Sequence, residues 1–414
     1  MRPRLLALTL LLIPAIALAA DWPQWRGPNR DEHSLDIGLR TDFSGDGPKL
    51  LWTYDKSGSA YSGPAIVGNV LYSLGAGDDD FAFALDTETG KEIWRTNVGP
   101  RYKQPYGDGS RCTPTVDGDR LYFIRGGGEL HCLATKDGKE IWKKSFRKDF
   151  GGDLMSGWGY SESPLVDGDK LVCTPGSNGG IVALDKISGK ETWRCNEVKD
   201  KASYSSIIAA DVFGVRQYIQ MLQGGLAGVR AEDGKLLWYY ERAVRTAGIP
   251  TPIYYKNHVY STAGYGVGCD MIKLTRSDDK FTAEKVYHSN NMVNHHGGVV
   301  LVDGFVYGFS DGRGWVCQDL MTGENKWEAK GQGKPGKGSI TYADGHIWCY
   351  DEKTGNLHIA EASPKGWKQT GLIKLPKQTT IRSNRGSIWT HPVIANGKLY
   401  LRDQDLLFCF DVKK

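Results

Sequence analysis

Asp86-Thr87-Glu88-Thr89-Gly90-Lys91-Glu92-Ile93-Trp94 decides the fold, because the chain repeats it. It returns as Asp137-Gly138-Lys139-Glu140-Ile141-Trp142, as Asp185-Lys186-Ile187-Ser188-Gly189-Lys190-Glu191-Thr192-Trp193, as Asp233-Gly234-Lys235-Leu236-Leu237-Trp238 and as Thr322-Gly323-Glu324-Asn325-Lys326-Trp327. Self-similarity at a fixed period marks a repeat architecture. Each copy sets a glycine turn between a short apolar strand and a strand carrying the Trp, which reads as a tight hairpin. A second hairpin precedes it, as in Pro64-Ala65-Ile66-Val67-Gly68-Asn69-Val70-Leu71-Tyr72, in 114–122 and in 164–172, with weaker copies starting near Ile207, Pro252, Val299, Ile340 and Pro392. Two hairpins make four antiparallel strands, and a unit of about 45 residues with four strands is a propeller blade.

These copies predict an all-β chain forming a single eight-bladed β-propeller over residues 49–414. The last unit, 392–411, holds only three strands, whereas Leu50-Leu51-Trp52-Thr53-Tyr54 is an orphan strand with its own Trp. That N-terminal strand is expected to complete the eighth blade and leave no open edge. Residues 20–48 then form an arm packed on the propeller surface, anchored by Trp22, Trp25 and Pro28, since such residues are poorly left in water. The repeated Trp side chains are expected in the core between blades.

Composition narrows the function classes. The 53 glycines among 414 residues are about twice the usual share of roughly 7% and imply frequent turns. Lys plus Arg at 52 against Asp plus Glu at 48 gives a net charge of only +4, too balanced for an electrostatic grip on nucleic acid. Arg2 and Arg4 precede an apolar run from Leu5 to Ile16, and Ala17-Leu18-Ala19 follows. That is the pattern of a secretory signal peptide, 1–19, with a periplasmic or extracellular destination after cleavage. No later run is long enough to span a membrane, and a monomer is expected. Most of the eight cysteines are expected to be structural thiols: Cys132, Cys317 and Cys409 take the third-strand place that Ala84, Ala183 and Gly228 fill in other blades, too far apart for disulfides.

The unit resembles the pyrroloquinoline-quinone-like (PQQ-like) propeller repeat over about residues 50–412. The opening Asp21-Trp22-Pro23-Gln24-Trp25-Arg26-Gly27-Pro28-Asn29-Arg30 is similar to that of secreted bacterial, planctomycete-type members of largely unassigned function. The resemblance implies the eight-bladed fold and, for function, either a scaffold or a quinoprotein alcohol dehydrogenase using PQQ and Ca²⁺. Quinoprotein dehydrogenases carry adjacent cysteines against the quinone, and this chain has no Cys-Cys pair and no Cys-x-x-Cys-His haem motif. The propeller subunit of the outer-membrane barrel assembly complex is a lipoprotein, and no Cys precedes Cys112 here.

The segments entering the innermost strand of each blade converge on one mouth of the central channel, and they are rich in polar and aromatic residues. Arg111, Trp158, Tyr160, Glu162, Tyr204, Asn294, His295, His296, Arg385, Trp389 and His391 are the candidate ligand-binding set, with Tyr61, Ser205, Arg245 and Lys337 beside them. Arg offers forked donors and Tyr a ring face with a hydroxyl, so an anionic or hydroxyl-rich ligand is expected. One of His295 and His296 should face the channel and the other pack between blades, because neighbours on an extended chain point apart. Asp78-Asp79-Asp80 reads as a solvated turn in place of a calcium site, and no metal site is expected. Gly264-Tyr265-Gly266-Val267-Gly268 lies between strands with no helix to follow, so it is no nucleotide fingerprint. No Gly-x-Ser-x-Gly nucleophile elbow occurs. The expected function is a ligand-binding or interaction scaffold for a protein, a glycan or a small polar ligand, with no cofactor; the alternative is the PQQ/Ca²⁺ oxidoreductase.

Overall fold

The computed structural model describes residues 20–45 and 47–414, so the expected signal peptide at 1–19 lies outside the described residues. Eight four-stranded antiparallel sheets follow one another around a ring. In seven of them the strands pair in chain order, and the eighth is completed by Leu50–Tyr54, which pairs with Leu406–Asp411. The innermost strands are short: Ala65–Val67, Thr115–Asp117, Leu165–Asp167, Ile208–Val212, Ile253–Tyr255, Val299–Val302, Gly338–Ala343 and Val393–Ala395. They surround the central channel. Among the described residues no helix is long and apolar enough to cross a membrane.

The repeated motif turns out to be a joint between blades. Trp94 Nε1 donates to Thr135 O in the next blade's turn, Trp142 to Ile187 O, Trp193 to Ala231 O, and Trp52 of the closing strand to Thr87 O of blade one. Each indole lies beneath the turn glycine of its neighbour; a Cβ on Gly90 would stand 2.7 Å from the Trp52 ring. The glycine is therefore required twice, for its positive φ and for the space beneath it. On its own blade the Trp crosses the third strand, where Ala84 faces Trp94, Cys132 faces Trp142, Ala183 faces Trp193, Gly228 faces Trp238, Cys317 faces Trp327 and Cys409 faces Trp52. Only a small side chain fits under an indole, which explains those cysteines. All eight cysteines are buried free thiols. Trp94, Trp193 and Trp238 are buried as expected, whereas Trp142 and Trp327 are half-buried because their outer edges reach the rim.

The joint varies where the motif does. Tyr287 replaces Trp in blade five, and its hydroxyl donates to Leu320 O beneath Gly323. Trp238 has no glycine turn to dock under and donates to Gln217 of its own blade. Blade seven sets Gly371 at the Trp place, and there the N-terminal arm seals the gap: Leu372 N donates to Phe43 O, and Arg40 N to Val412 O of blade eight.

The arm departs from expectation over the rest of its length. It enters the channel instead of lying on the outer surface. Ile66 N and Trp22 O, Val116 N and Pro23 O, Trp25 Nε1 and Thr251 Oγ1, and Ser34 Oγ and Ile394 O are all hydrogen-bonded. Arg30 donates to Ser163 O and Pro164 O, Arg26 to Val299 O, and Tyr342 N to Glu32 O. Blades one, two, three, five, six, seven and eight are thus tied to one strap. Arg26 and Glu32 are 2% and 1% exposed and form an ion pair at 3.5 Å. A buried pair of this kind is costly to break from one side. Trp22 is fully buried as an anchor, but the two arginines hold more of the channel than the aromatic residues do.

Candidate functional site

The strap closes the channel on one side of Trp25, and a cavity of about 220 Å³ opens on the other. Its walls are built by a register rule. The residue at the same distance ahead of each blade's first hairpin is Tyr61, Arg111, Ser161, Ser206, Ile249, His296, Lys337 or Trp389, and seven of these eight line the cavity. Loops add Tyr106 and Trp158, the lead-in segments add Tyr204, His295 and His391, the blade-five hairpin adds Tyr265, and Trp25 forms the floor.

Of the candidate residues, Arg111, Trp158, Tyr204, His295, His296, Trp389 and His391 come together as expected, with Tyr61. Tyr160, Glu162, Asn294 and Arg385 do not. Tyr160 turns inward against Phe146, with ring centroids 5.1 Å apart, and donates to Pro175 O. Glu162 is 2% exposed between blades three and four, accepting from Thr174 N, Thr174 Oγ1 and Gln220 Nε2. Burial pushes its carboxyl up to about 7. Asn294 donates to Gly298 O and Phe309 O and holds the bend after it. Arg385 is exposed on the long 374–392 loop. Ser205 is buried on Pro250 O, Arg245 is exposed, and Lys337 is held by Asp311 at 2.7 Å.

Both histidines of the adjacent pair line the cavity, contrary to the expected division. The chain is not extended there: it bends at His296-Gly297, so the two rings stand 5.3 Å apart at 81° and share one side. Asp78-Asp79-Asp80 also divides differently. The third strand starts at Asp79, and Asp80 within it is buried against Arg125, while Asp78 and Asp79 stay exposed.

Aromatic rings form most of the wall. Centroid separations are 4.9 Å for Tyr61 and Trp389, 5.9 Å for Tyr106 and Trp158, 5.8 Å for Trp158 and Tyr204, and 4.7 Å for Tyr265 and His295. Arg111 lies over the Tyr61 ring at 5.4 Å and donates to Gly109 O and Gly107 O, so much of its fork is already engaged by backbone. The adjacent imidazoles of His295 and His296 are neutral at physiological pH. Burial and the Lys337 ammonium, 2.9 Å from Nδ1, pull His295 down to about 4, and burial holds His296 well below its usual value.

Two carboxylates stand behind the wall. His296 Nε2 is 3.2 Å from Glu352 Oε2, and that oxygen accepts from Trp389 Nε1 at 3.0 Å; His391 Nδ1 is 3.3 Å from Glu32 Oε2. Burial raises the Glu352 carboxyl. Glu352 is inconspicuous in the sequence because it sits in Asp351-Glu352-Lys353-Thr354-Gly355, a copy of the structural turn. In blade seven that turn joins the second and third strands, at the mouth, whereas in blades one, two, three, four and six it joins the third and fourth strands on the opposite face. Tyr265 lies in a glycine-rich segment between strands, and Ser161, Ser206 and Ile249 are small or apolar residues that do not stand out by type. Hairpin register is the signal that finds them.

The family model for the outer membrane protein assembly factor BamB, a PQQ-type propeller family, matches residues 42–123 and 78–329. The chain belongs to that family. Burkholderia pseudomallei BamB is 23% identical over 294 residues, 67% of this chain and 68% of that protein. Tetrathionate hydrolase of Acidithiobacillus ferrooxidans is 25% identical over 267 residues, 55% of this chain and 47% of that enzyme, so the match spans about half of the enzyme's length. Among solved structures, quinohemoprotein alcohol dehydrogenase from Comamonas testosteroni superposes with a TM-score of 0.64 at 11% identity, covering 95% of this chain and 81% of that one. At that identity the likeness is one of fold.

Proposed function

We propose that this BamB-family propeller is an exported binding protein whose closed, aromatic funnel takes a sugar ring of a glycan. The observation that carries the reading is the wall: a nearly continuous collar of aromatic faces around neutral imidazoles, in a cavity of about 220 Å³. A pyranose presents C–H bonds on its faces, which suit the negative face of an aromatic ring, and hydroxyls on its rim, which neutral imidazoles meet as donor or acceptor. With Arg111 largely engaged and Lys337 paired, the uncommitted positive charge is small, which favours a hydroxyl-rich ligand over an anion.

The donor set is poorly matched to a quinone tricarboxylate with calcium. Glu352 and Glu32 back the floor imidazoles, where further carboxylates would be repelled, and among the described residues no cluster of metal-ligating side chains accompanies them. The test is a glycan array followed by calorimetry. Trp158→Ala and Trp389→Ala are each expected to weaken a bound glycan at least tenfold, with the melting temperature little changed for these partly exposed walls. Absence of any glycan hit, together with a new visible absorption on titration with PQQ and Ca²⁺, would replace this reading with the oxidoreductase one.

A further inference from the structure

We propose that the funnel accepts the end of a glycan chain and rejects internal segments, and that Trp25 of the N-terminal arm sets this selection. The proposal rests on the glycan reading above and adds how the chain must enter. A groove open at both ends lets a polymer lie through it; a funnel closed at its base admits a terminus alone. Here the base is closed by the chain's own arm. Trp25 lines the cavity, stands edge-on to His391 at 4.7 Å and is fixed by its indole N–H on Thr251 Oγ1 at 3.0 Å.

Behind Trp25 lie the buried side chains of the strap. Arg26 is bonded to Val299 O at 2.7 Å and paired with Glu32, and Glu32 in turn lies 3.3 Å from His391. A polymer threading the channel would have to displace that buried ion pair, at a cost no single sugar contact repays. The cavity is also smaller than the roughly 300–1,000 Å³ of drug-sized sites, which suits the end of a chain better than a long segment of it. The ring that reaches the floor meets Trp25, His391 and His296 together. His391 Nε2 donates to the backbone carbonyl of His296 at 3.3 Å, which ties the His391 ring to the segment that carries His296. Trp25 is a specificity-determining residue on this view, and the arm is part of the site.

The experiment uses the whole mature chain and the linear oligosaccharides that bind on the array. Each is remeasured by calorimetry in three forms: unmodified, blocked at the non-reducing end with a benzylidene group, and converted to the alditol at the reducing end; a cyclic oligosaccharide of the same linkage, where one exists, is the endless control. One end modification is expected to weaken binding more than a hundredfold while the other changes it less than threefold, and the cyclic form should not bind. Equal binding of both modified forms, or of the cyclic form, overturns the end-selective reading and leaves the glycan reading standing. No glycan binding at all overturns both. Trp25→Phe should keep the selectivity, since it retains a floor, and Trp25→Ala should lower the discrimination between modified forms at least tenfold. Retained discrimination in a folded Trp25→Ala protein removes Trp25 from the role; if that variant does not fold, the series on the unaltered protein decides the end-selectivity and Trp25→Phe against Trp25→Leu decides the residue.

Discussion

Asp185-Lys186-Ile187-Ser188-Gly189 and Asp351-Glu352-Lys353-Thr354-Gly355 are the same turn on opposite faces of the ring. In each, the Asp Oδ1 accepts from backbone within the turn: from Ser188 N at 2.7 Å in the first, and from Lys353 N at 2.8 Å and Thr354 N at 2.9 Å in the second. The first closes the outer hairpin of blade three, and its glycine roofs Trp142 of the neighbouring blade. The second closes the hairpin between strands two and three, and the residue after its Asp becomes the carboxylate behind His296 and Trp389. Local sequence fixes the conformation of a turn; the strand it follows fixes which face it serves. One motif thus does structural work at the base and site-building work at the mouth.

The largest effect should come from breaking the structural member. Trp193→Ala removes an indole that is 9% exposed, loses the bond to Ala231 O and leaves a cavity between blades three and four. A loss of about 3–5 kcal/mol is expected, measured by denaturant unfolding. Glycan affinity of the folded fraction should not move. A loss under 1 kcal/mol would mean that the Trp-under-glycine joint does not hold the blades. Removing residues 20–48 strips the channel strap even though the closing strand at Leu50–Tyr54 remains, so that truncation too should melt well below the intact chain.

The fold was legible because its determinants are local and repeated. Glycine turns, apolar alternation and a Trp at a fixed place mark each blade, and the orphan Leu50–Tyr54 marks the seam. The site was legible in part. Tyr61, Arg111, His296 and Trp389 occupy the register position and are also conspicuous residue types, whereas Ser161, Ser206 and Ile249 occupy it without being conspicuous. Glu162 and Tyr160 lie on the same lead-in segment, yet successive side chains there alternate between channel and blade interface. The burial of Arg26 and Arg30 had no local signal, because a non-repeating arm acquires its environment from seven blades distant in sequence.

An intermediate effect should appear with pH. Glu162 is fully buried with its folded value pushed up to about 7, so it holds its proton in the folded protein between the ordinary carboxylate range and neutrality. Its contribution to stability is fully present below about 4.5 and lost as pH rises through about 7, on the order of 3 kcal/mol. His295 runs the other way. Its depressed value means that the unfolded chain binds the extra proton, so stability rises from about pH 4 to about 6.5. Glu162→Gln should flatten the fall above pH 5 and leave the acid limb in place, as read from melting temperatures between pH 4 and 8. An unchanged fall would show that Glu162 ionises freely in the folded protein. This interface between blades three and four belongs to the structural side of the comparison, and the glycan affinity should be indifferent to it.

The smallest stability effect separates the two turns most sharply. Asp185→Ala and Asp351→Ala each remove side-chain acceptors for turn N–H groups, worth about 1 kcal/mol, with somewhat more for Asp351, whose Oδ2 also accepts from Gly336 N at 2.8 Å. Their effects on stability should therefore be similar, a few degrees in melting temperature. Their effects on binding should not be. Loosening the base turn leaves the mouth untouched, so Asp185→Ala should bind as the unaltered protein does. Loosening the mouth turn frees Glu352, and with it the hydrogen bond that fixes Trp389 and the carboxylate that faces His296, so Asp351→Ala should weaken the glycan severalfold. Glu352→Gln isolates the second half of that claim, since an amide oxygen can still accept from Trp389 Nε1 while the charge beside His296 is gone. Equal binding by Asp185→Ala and Asp351→Ala would show that the blade-seven turn is only another structural copy, and that Trp389 and His296 are placed by the lead-in segments alone.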